Sequence, residues 1–172
     1  MKPLTTLLCL LLPGTVALAQ EPTDDPIQVY VIDSVEAGPE AMNGLGPDQI
    51  AMITIARGKK TVEKYGERAA SGVFYIETKP FARKRYNRMF SELSPAYAAA
   101  LQRYGSDSSF QYVMGDSVLH TNIESQLAAL TPKDIAEIRI EGGPPSGKKL
   151  SKTREDELKV IIRTPQDLPK QP

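Results

Sequence analysis

Leu45-Gly46-Pro47-Asp48-Gln49-Ile50 and Leu130-Thr131-Pro132-Lys133-Asp134-Ile135 share the spacing Leu-x-Pro-x-x-Ile and stand 85 residues apart. Each runs into a short apolar segment at the same offset, Ile53-Thr54-Ile55 in the first and Ile138-Arg139-Ile140 in the second. Alternation of apolar and polar residues marks a strand with one buried face. Further out, Tyr30-Val31-Ile32-Asp33-Ser34-Val35 is echoed by Tyr112-Val113-Met114-Gly115-Asp116-Ser117-Val118, with one residue inserted. Val73-Phe74-Tyr75-Ile76-Glu77-Thr78 is echoed by Lys159-Val160-Ile161-Ile162-Arg163-Thr164. Four blocks recurring in one order at a nearly constant offset define an internal repeat. The expected fold is α+β: two tandem copies of a β-α-β-β unit joined by a helical segment, as two small mixed sheets or one continuous sheet.

The first copy occupies residues 27–80 and the second, more degenerate, residues 106–165. Between them, residues 81–105 form a helical connector. Ala82, Tyr86, Met89, Phe90 and Leu93 recur at helical spacing, with Arg83, Lys84, Asn87, Arg88 and Glu92 on the other face. Ser94-Pro95 starts a second helix and Gly105 ends it. The expected core is Val29, Val31, Ile50, Ile53, Ile55, Val73, Tyr75 and Ile76 in the first copy. Tyr112, Val113, Leu130, Ile135, Ile138, Ile140, Val160 and Ile162 supply it in the second. A unit of this size is marginal alone, so the copies are expected to pack together.

Met1-Lys2, an apolar run over residues 4–12 and Ala17-Leu18-Ala19 give the three-part layout of a secretory signal cut after Ala19. The apolar run is too short to span a bilayer. Residues 20–26 read as a flexible leader and residues 166–172, rich in proline, as a disordered tail. Cys9 lies inside the signal, so the exported chain carries no cysteine and no disulfide framework.

The chain balances 21 Lys+Arg against 21 Asp+Glu, which argues against a nucleic-acid binder. One histidine, His120, leaves little room for a catalytic metal site, and no metal or cofactor is expected. Asp116, Ser117 and Glu124 are near His120 in sequence, but a single hairpin rarely supplies the geometry of a Ser-His-acid arrangement. Gly142-Gly143-Pro144-Pro145-Ser146-Gly147-Lys148-Lys149 mimics a phosphate loop. Lys149 stands where Ser or Thr should hold magnesium, and the two prolines lack the N–H groups that would cradle phosphate. Asp24-Asp25 and Glu155-Asp156-Glu157 lack the spacing of a calcium loop and read as solvated surface. The densest basic patch interleaves Lys79, Arg83, Lys84, Arg85 and Arg88 with Phe81, Tyr86 and Phe90. Within it, Arg83, Lys84 and Arg88 are the candidate contact surface.

Tyr65-Gly66-Glu67-Arg68-Ala69-Ala70-Ser71-Gly72-Val73-Phe74-Tyr75-Ile76-Glu77-Thr78-Lys79 resembles the end of the plug domain of TonB-dependent outer-membrane receptors. There the pattern is roughly Tyr-Gly-x-Arg-Ala-Ala-Asn-Gly-Val-Ile-x-Ile-x-Thr-Lys. Residues 48–55 resemble that family's Asp-Ile-x-x-Ile-x-Val strand, and residues 30–35 its opening hairpin. The resemblance spans about residues 27–80. It gives Tyr65, Gly66, Arg68, Gly72, Thr78 and Lys79 as signature residues with structural roles. Physically, Gly66 stops a helix and Gly72 turns the chain into a strand. Tyr65 is expected to lie against the sheet and Arg68 to bond carbonyls of nearby turns. Ser34 departs from the family's glycine, and no strands for a receptor barrel follow. The resemblance implies a free-standing, two-repeat plug-like protein of a Gram-negative envelope, in the periplasm, at the outer membrane or outside the cell. Its expected role is non-enzymatic: a binding or protein-interaction module whose partner is an envelope or outer-membrane protein. The alternatives are a small secreted hydrolase using His120 and a membrane-surface protein docking through the basic helix 81–90.

Overall fold

The computed structural model describes residues 27–143 and 157–168. The expected signal and leader lie outside that range, as do the phosphate-loop mimic beyond Gly143, Glu155 and Asp156 of the second acidic cluster, and residues 169–172.

The first unit opens with a hairpin of β1 (Val29–Ile32) and β2 (Val35–Ala37). Its turn residues, Asp33 and Ser34, both have positive φ, 50° and 72°. That turn geometry follows the twist of the flanking strands. A short 3-10 helix, Pro39–Gly44, leads to β3 (Ile50–Ala56). Then α1 (Lys59–Tyr65) and a 3-10 turn, Glu67–Ala69, lead to β4 (Val73–Thr78). β4 lies between β1 and β3, parallel to the first and antiparallel to the second, giving the order β2-β1-β4-β3.

Two helices follow, α2 (Lys79–Leu93) and α3 (Pro95–Tyr104). Thr78 caps the first by accepting the Phe81 N–H, and Ser94 caps the second by accepting the Tyr97 N–H. Each has a proline in its first turn, where a backbone N–H is not needed.

The second unit repeats the plan with β5 (Phe110–Met114), β6 (Ser117–Val118), α4 (Ile123–Ala128), a 3-10 turn Pro132–Asp134, β7 (Glu137–Gly142) and β8 (Leu158–Arg163). Its order is β6-β5-β8-β7, with β8 parallel to β5 and antiparallel to β7. The architecture is therefore α+β with two repeated units, as two separate four-stranded sheets.

The repeat extends to individual hydrogen bonds. Asp33 N–H donates to the Ile76 carbonyl at 2.9 Å, and Gly115 N–H donates to Ile162 at 3.0 Å. Gly46 N–H donates to Gln49 Oε1, and Thr131 N–H donates to Asp134 Oδ2, so the two Leu-x-Pro-x-x-Ile turns are closed alike. At the end of β4, the Thr78 N–H and hydroxyl donate to the two carboxylate oxygens of Asp33, at 2.8 and 2.7 Å. Gly115 replaces Asp33 in the second hairpin. There, the N–H and hydroxyl of Thr164 donate to Asp167 instead, at 2.7 and 2.8 Å. A Cβ on Gly115 would stand 3.3 Å from that carboxylate. The acid comes from a different place in the chain and serves the same threonine. Asp167 lies in the stretch expected as tail, and its N–H closes a turn onto the Thr164 carbonyl.

The main core lies between the second sheet and the two helices of the connector. Tyr86, Phe90 and Tyr97 are fully buried there with Leu127, Val160 and Ile162. The core of the first unit is smaller: Val29, Val31, Ala69 and Val73, with Tyr65 and Tyr75 against it. The units meet where Ala51, Ala82 and Ala128 pack together. There Arg85 binds Glu77 of β4 at 2.9 Å and the Ala128 carbonyl at 2.6 Å. Three expectations need correction. Ile53 and Ile55 are half-exposed rather than core, because no helix lies over their end of the first sheet. Leu93, on the last turn of α2, is exposed as well, because it lies past the end of the packed stripe.

One pH dependence follows. Hydrogen bonds from the backbone and then the side chain of Thr164 hold the Asp167 carboxyl below the ordinary aspartate range. Its folded form binds a proton less readily than the unfolded chain does. Its contribution to stability is therefore present above about pH 4, the unfolded value, and is lost as the pH falls through the lowered folded one. In a carboxyl NMR titration, Asp167 should titrate below an aspartate in a short peptide. Thr164→Val should move it part of the way back, since the backbone N–H remains.

Candidate interaction surface

Strand register puts two apolar rows on one face of the first sheet. Ile32 lies opposite both Val35 and Ile76, and Ile76 opposite Ile53. Tyr30 lies opposite Ala37 and Phe74, and Phe74 opposite Ile55. Directly opposed side chains share a face, so the rows are Val35–Ile32–Ile76–Ile53 and Ala37–Tyr30–Phe74–Ile55. The Tyr30 and Phe74 rings stack at 5.3 Å. Val35, Ile53 and Ile55 remain 67, 50 and 45% exposed.

The second sheet carries the same rows. Met114, Ile162 and Ile138 align in one, and Tyr112, Val160 and Ile140 in the other. Here the connector helices lie on the face, and Tyr112, Val160, Ile138 and Ile162 are at most 8% exposed. Ser94, at the junction of α2 and α3, also donates its hydroxyl to the Ile138 carbonyl at 3.2 Å. The duplication thus supplies its own comparison: one face is covered, while in its counterpart Ile76 is buried and Val35, Ile53 and Ile55 stay open on the outer strands. Covering Val35, Ile53 and Ile55 would return on the order of 1 kcal/mol each, half the value of a fully buried aliphatic side chain.

The outer strands of the two sheets differ too. β3 and β7 occupy the same edge of their respective sheets. β7 points Glu137, Arg139 and Glu141 outward, all exposed. β3 has Met52, Thr54 and Ala56 at the corresponding places and carries no charge. Charged side chains blunt an edge against pairing with other chains, so β7 is blunted and β3 is not.

The sequence-derived contact residues Arg83, Lys84 and Arg88 line one open cleft between α2 and the loop after α3. Asn87, Ser91 and Asp107 share it. Arg83 is already engaged, at 2.7 Å to Glu124 and 3.6 Å to Asp107. Lys84 and Arg88 are exposed, and no ion pair holds either among the described residues. Tyr86 and Phe90, interleaved with these charges in sequence, face the core instead. Beneath the cleft lies a polar network that the sequence reading missed. Asp107, 3% exposed, accepts the hydroxyls of Tyr86 at 2.9 Å and Tyr112 at 3.0 Å. The Tyr97 hydroxyl lies 2.8 Å from that of Tyr112 and beside the Asn87 side-chain amide, and its single proton goes to one of them. Burial pushes all three tyrosine pKa values well up, so the hydroxyls stay protonated as donors.

Of the signature residues of the first copy, Gly66, Gly72, Thr78 and Lys79 serve the backbone. Tyr65 packs against the small core and meets Tyr75 edge-on, the two hydroxyls 3.3 Å apart. Gly66 closes α1 with φ 76°. Gly72 has φ 122°, and a Cβ there would stand 3.0 Å from the Ala56 carbonyl. Thr78 is the acceptor for the first turn of α2, and the Lys79 N–H donates to the Gln49 carbonyl at 2.8 Å. Arg68 departs from expectation. It pairs with Glu36 on β2 at 2.9 Å, and it is Arg57 that bonds a turn carbonyl, Ser71, at 3.1 Å. Arg68 sits on the 3-10 turn, within reach of the hairpin, while Arg57 directly faces the turn before β4.

His120 is exposed, and no hydrogen bond or ion pair joins it to Asp116, Ser117 or Glu124 among the described residues. Asp116 binds Arg163 at 2.9 Å, and Glu124 binds Arg83. Among the described residues, no helix is long and apolar enough to cross a membrane. No family model matches the chain, and neither a curated protein nor a solved structure matches it.

Two substitutions test these assignments. Asp107→Ala leaves two buried hydroxyls without their acceptor and should cost about 3 kcal/mol in urea unfolding, with Asp107→Asn costing less. Gly72→Ala combines positive φ with a close approach to Ala56 and should cost about 2 kcal/mol by the same measurement.

Proposed function

We propose that this chain is a non-enzymatic protein-interaction module of a Gram-negative cell envelope, exported through a cleaved signal peptide and acting in the periplasm or at the outer membrane. The observation that carries this reading is the open apolar face of the first sheet beside its covered counterpart in the second. Exposed large apolar side chains gathered on one sheet face mark interaction sites. The occupant is an envelope or outer-membrane protein that presents an amphipathic helix, because helices cover the equivalent face within the chain. The rim gives that helix a direction: Glu40 is exposed beyond β2, while Arg57, Lys59 and Lys60 are exposed beyond β3. A partner helix with basic residues toward β2 and acidic residues toward β3 complements it.

The layout of residues 1–19 supports export, and the plug-like pattern over residues 27–80 supports an envelope setting. A hydrolase using His120 lacks comparable support, since the neighbouring carboxylates are engaged by arginines. A membrane-surface role for helix 81–90 lacks it too, since the helix's aromatic stripe is buried.

The test is site-specific photo-crosslinking in cells, with the crosslinker at Ile55 or, as a control, at Arg139 on the blunted edge. The expected result is one identified envelope protein at Ile55, absent at Arg139, whose binding weakens at least about tenfold in Ile55→Glu. Identical adducts at both positions, or none at either, would overturn the reading.

A further inference from the structure

We propose that β3 is a self-pairing edge, through which two copies of the chain join their first sheets into one continuous sheet. The inference goes beyond the docking of an envelope partner and does not depend on it.

β3 is the edge strand of its sheet, α4 lies against it near Ala51, and residues 53–55 beyond that contact are exposed. Antiparallel pairing centred on Thr54 sets Thr54 opposite Thr54 of the second copy, Ile53 opposite its Ile55, and Met52 opposite its Ala56. Opposed residues share a face, so both isoleucine pairs fall on the open apolar face. The rows of the two copies then run on into each other. The strand's flanks are complementary under the same operation. Asp48 precedes β3, while Arg57, Lys59 and Lys60 follow it, all of them exposed. Antiparallel pairing brings the acidic end of one copy to the basic end of the other. This charge match, together with self-matching side chains, selects a second copy over an unrelated strand.

The repeat supplies the counter-case. The same pairing at β7 would set Arg139 against Arg139 and Glu137 against Glu141. Like charges directly opposed are unfavourable. On β7 the Ser94 hydroxyl also takes the Ile138 carbonyl, so outward charges and an engaged backbone together close that edge.

The experiment uses the full chain with Cys9→Ser, so that each added cysteine is the only one. Thr54→Cys places two thiols across the two-fold axis, within the Cα separation a disulfide needs. Under a glutathione redox buffer, Thr54→Cys should form disulfide dimer at least about tenfold faster than Arg139→Cys, as expected when one site is pre-paired. Sedimentation of the Cys9→Ser chain should show a monomer–dimer equilibrium. Thr54→Arg, which copies the charge of β7, should weaken that equilibrium at least about tenfold with an unchanged circular dichroism spectrum. A monomer at every concentration, equal disulfide rates at the two sites, or a dimer insensitive to Thr54→Arg would each overturn the proposal. A folded monomer that still captures an envelope protein at Ile55 would overturn self-pairing and leave the interaction-module reading standing.

Discussion

Two sheets each present an apolar face, and one pair of helices lies between them in the chain. That shortage of cover governs the rest of the structure. In both units the last strand lies between the first and third, which puts its C-terminal end beside the opening hairpin. At that point in the first unit Thr78 caps α2, and α2 and α3 lead on into β5. The helices place Tyr86, Phe90 and Tyr97 on the second sheet, where the rings meet Tyr112 and Phe110 at 6.0 to 6.4 Å. The aromatic burial that dominates the fold is thus committed to one unit. The first unit keeps a core of four small residues and two half-buried tyrosines, too little to stand alone. It leans on the second through the Ala51–Ala82–Ala128 contact and the Arg85 bridge.

What the duplication preserves is hydrogen-bond geometry more than residue identity. The threonine that ends each central strand has a carboxylate on its N–H and hydroxyl in both units. The acid is Asp33 in one hairpin and Asp167, downstream of the strand, in the other. Loss of the side chain at Gly115 leaves the space that Asp167 fills. A buried or half-buried donor without an acceptor is costly, so the site is refilled from whichever segment can reach it.

The strands and the repeat were legible because they rest on local signals: period-two alternation, the Leu-x-Pro-x-x-Ile turns, and caps at Thr78, Ser94 and Gly105. The candidate cations Arg83, Lys84 and Arg88 were legible as one helical face and do share one cleft. Other features were not legible because they depend on which surface a helix meets. Ile53 and Ile138 hold the same place in the repeat and have opposite exposures. Asp107 sits in a short polar loop, which reads as solvent-exposed, and only the packing of α2 over that loop buries it. The Arg68 pairing is not legible because its partner Glu36 is 32 residues away.

The asymmetry between the copies runs in one direction at every level. The second unit has the helices, the tyrosine network and an edge carrying three charges; the first has the open face and the uncharged edge. Had the bare face been only a residue of decay, its edge would be expected to gather charges, since an apolar edge next to an apolar face is the arrangement most prone to indiscriminate association. The opposite is seen. Charges flank β3 at both ends with opposite sign, while the strand between them carries none. In the self-pairing proposed for β3, those end charges fix the register and disfavour parallel or shifted pairings.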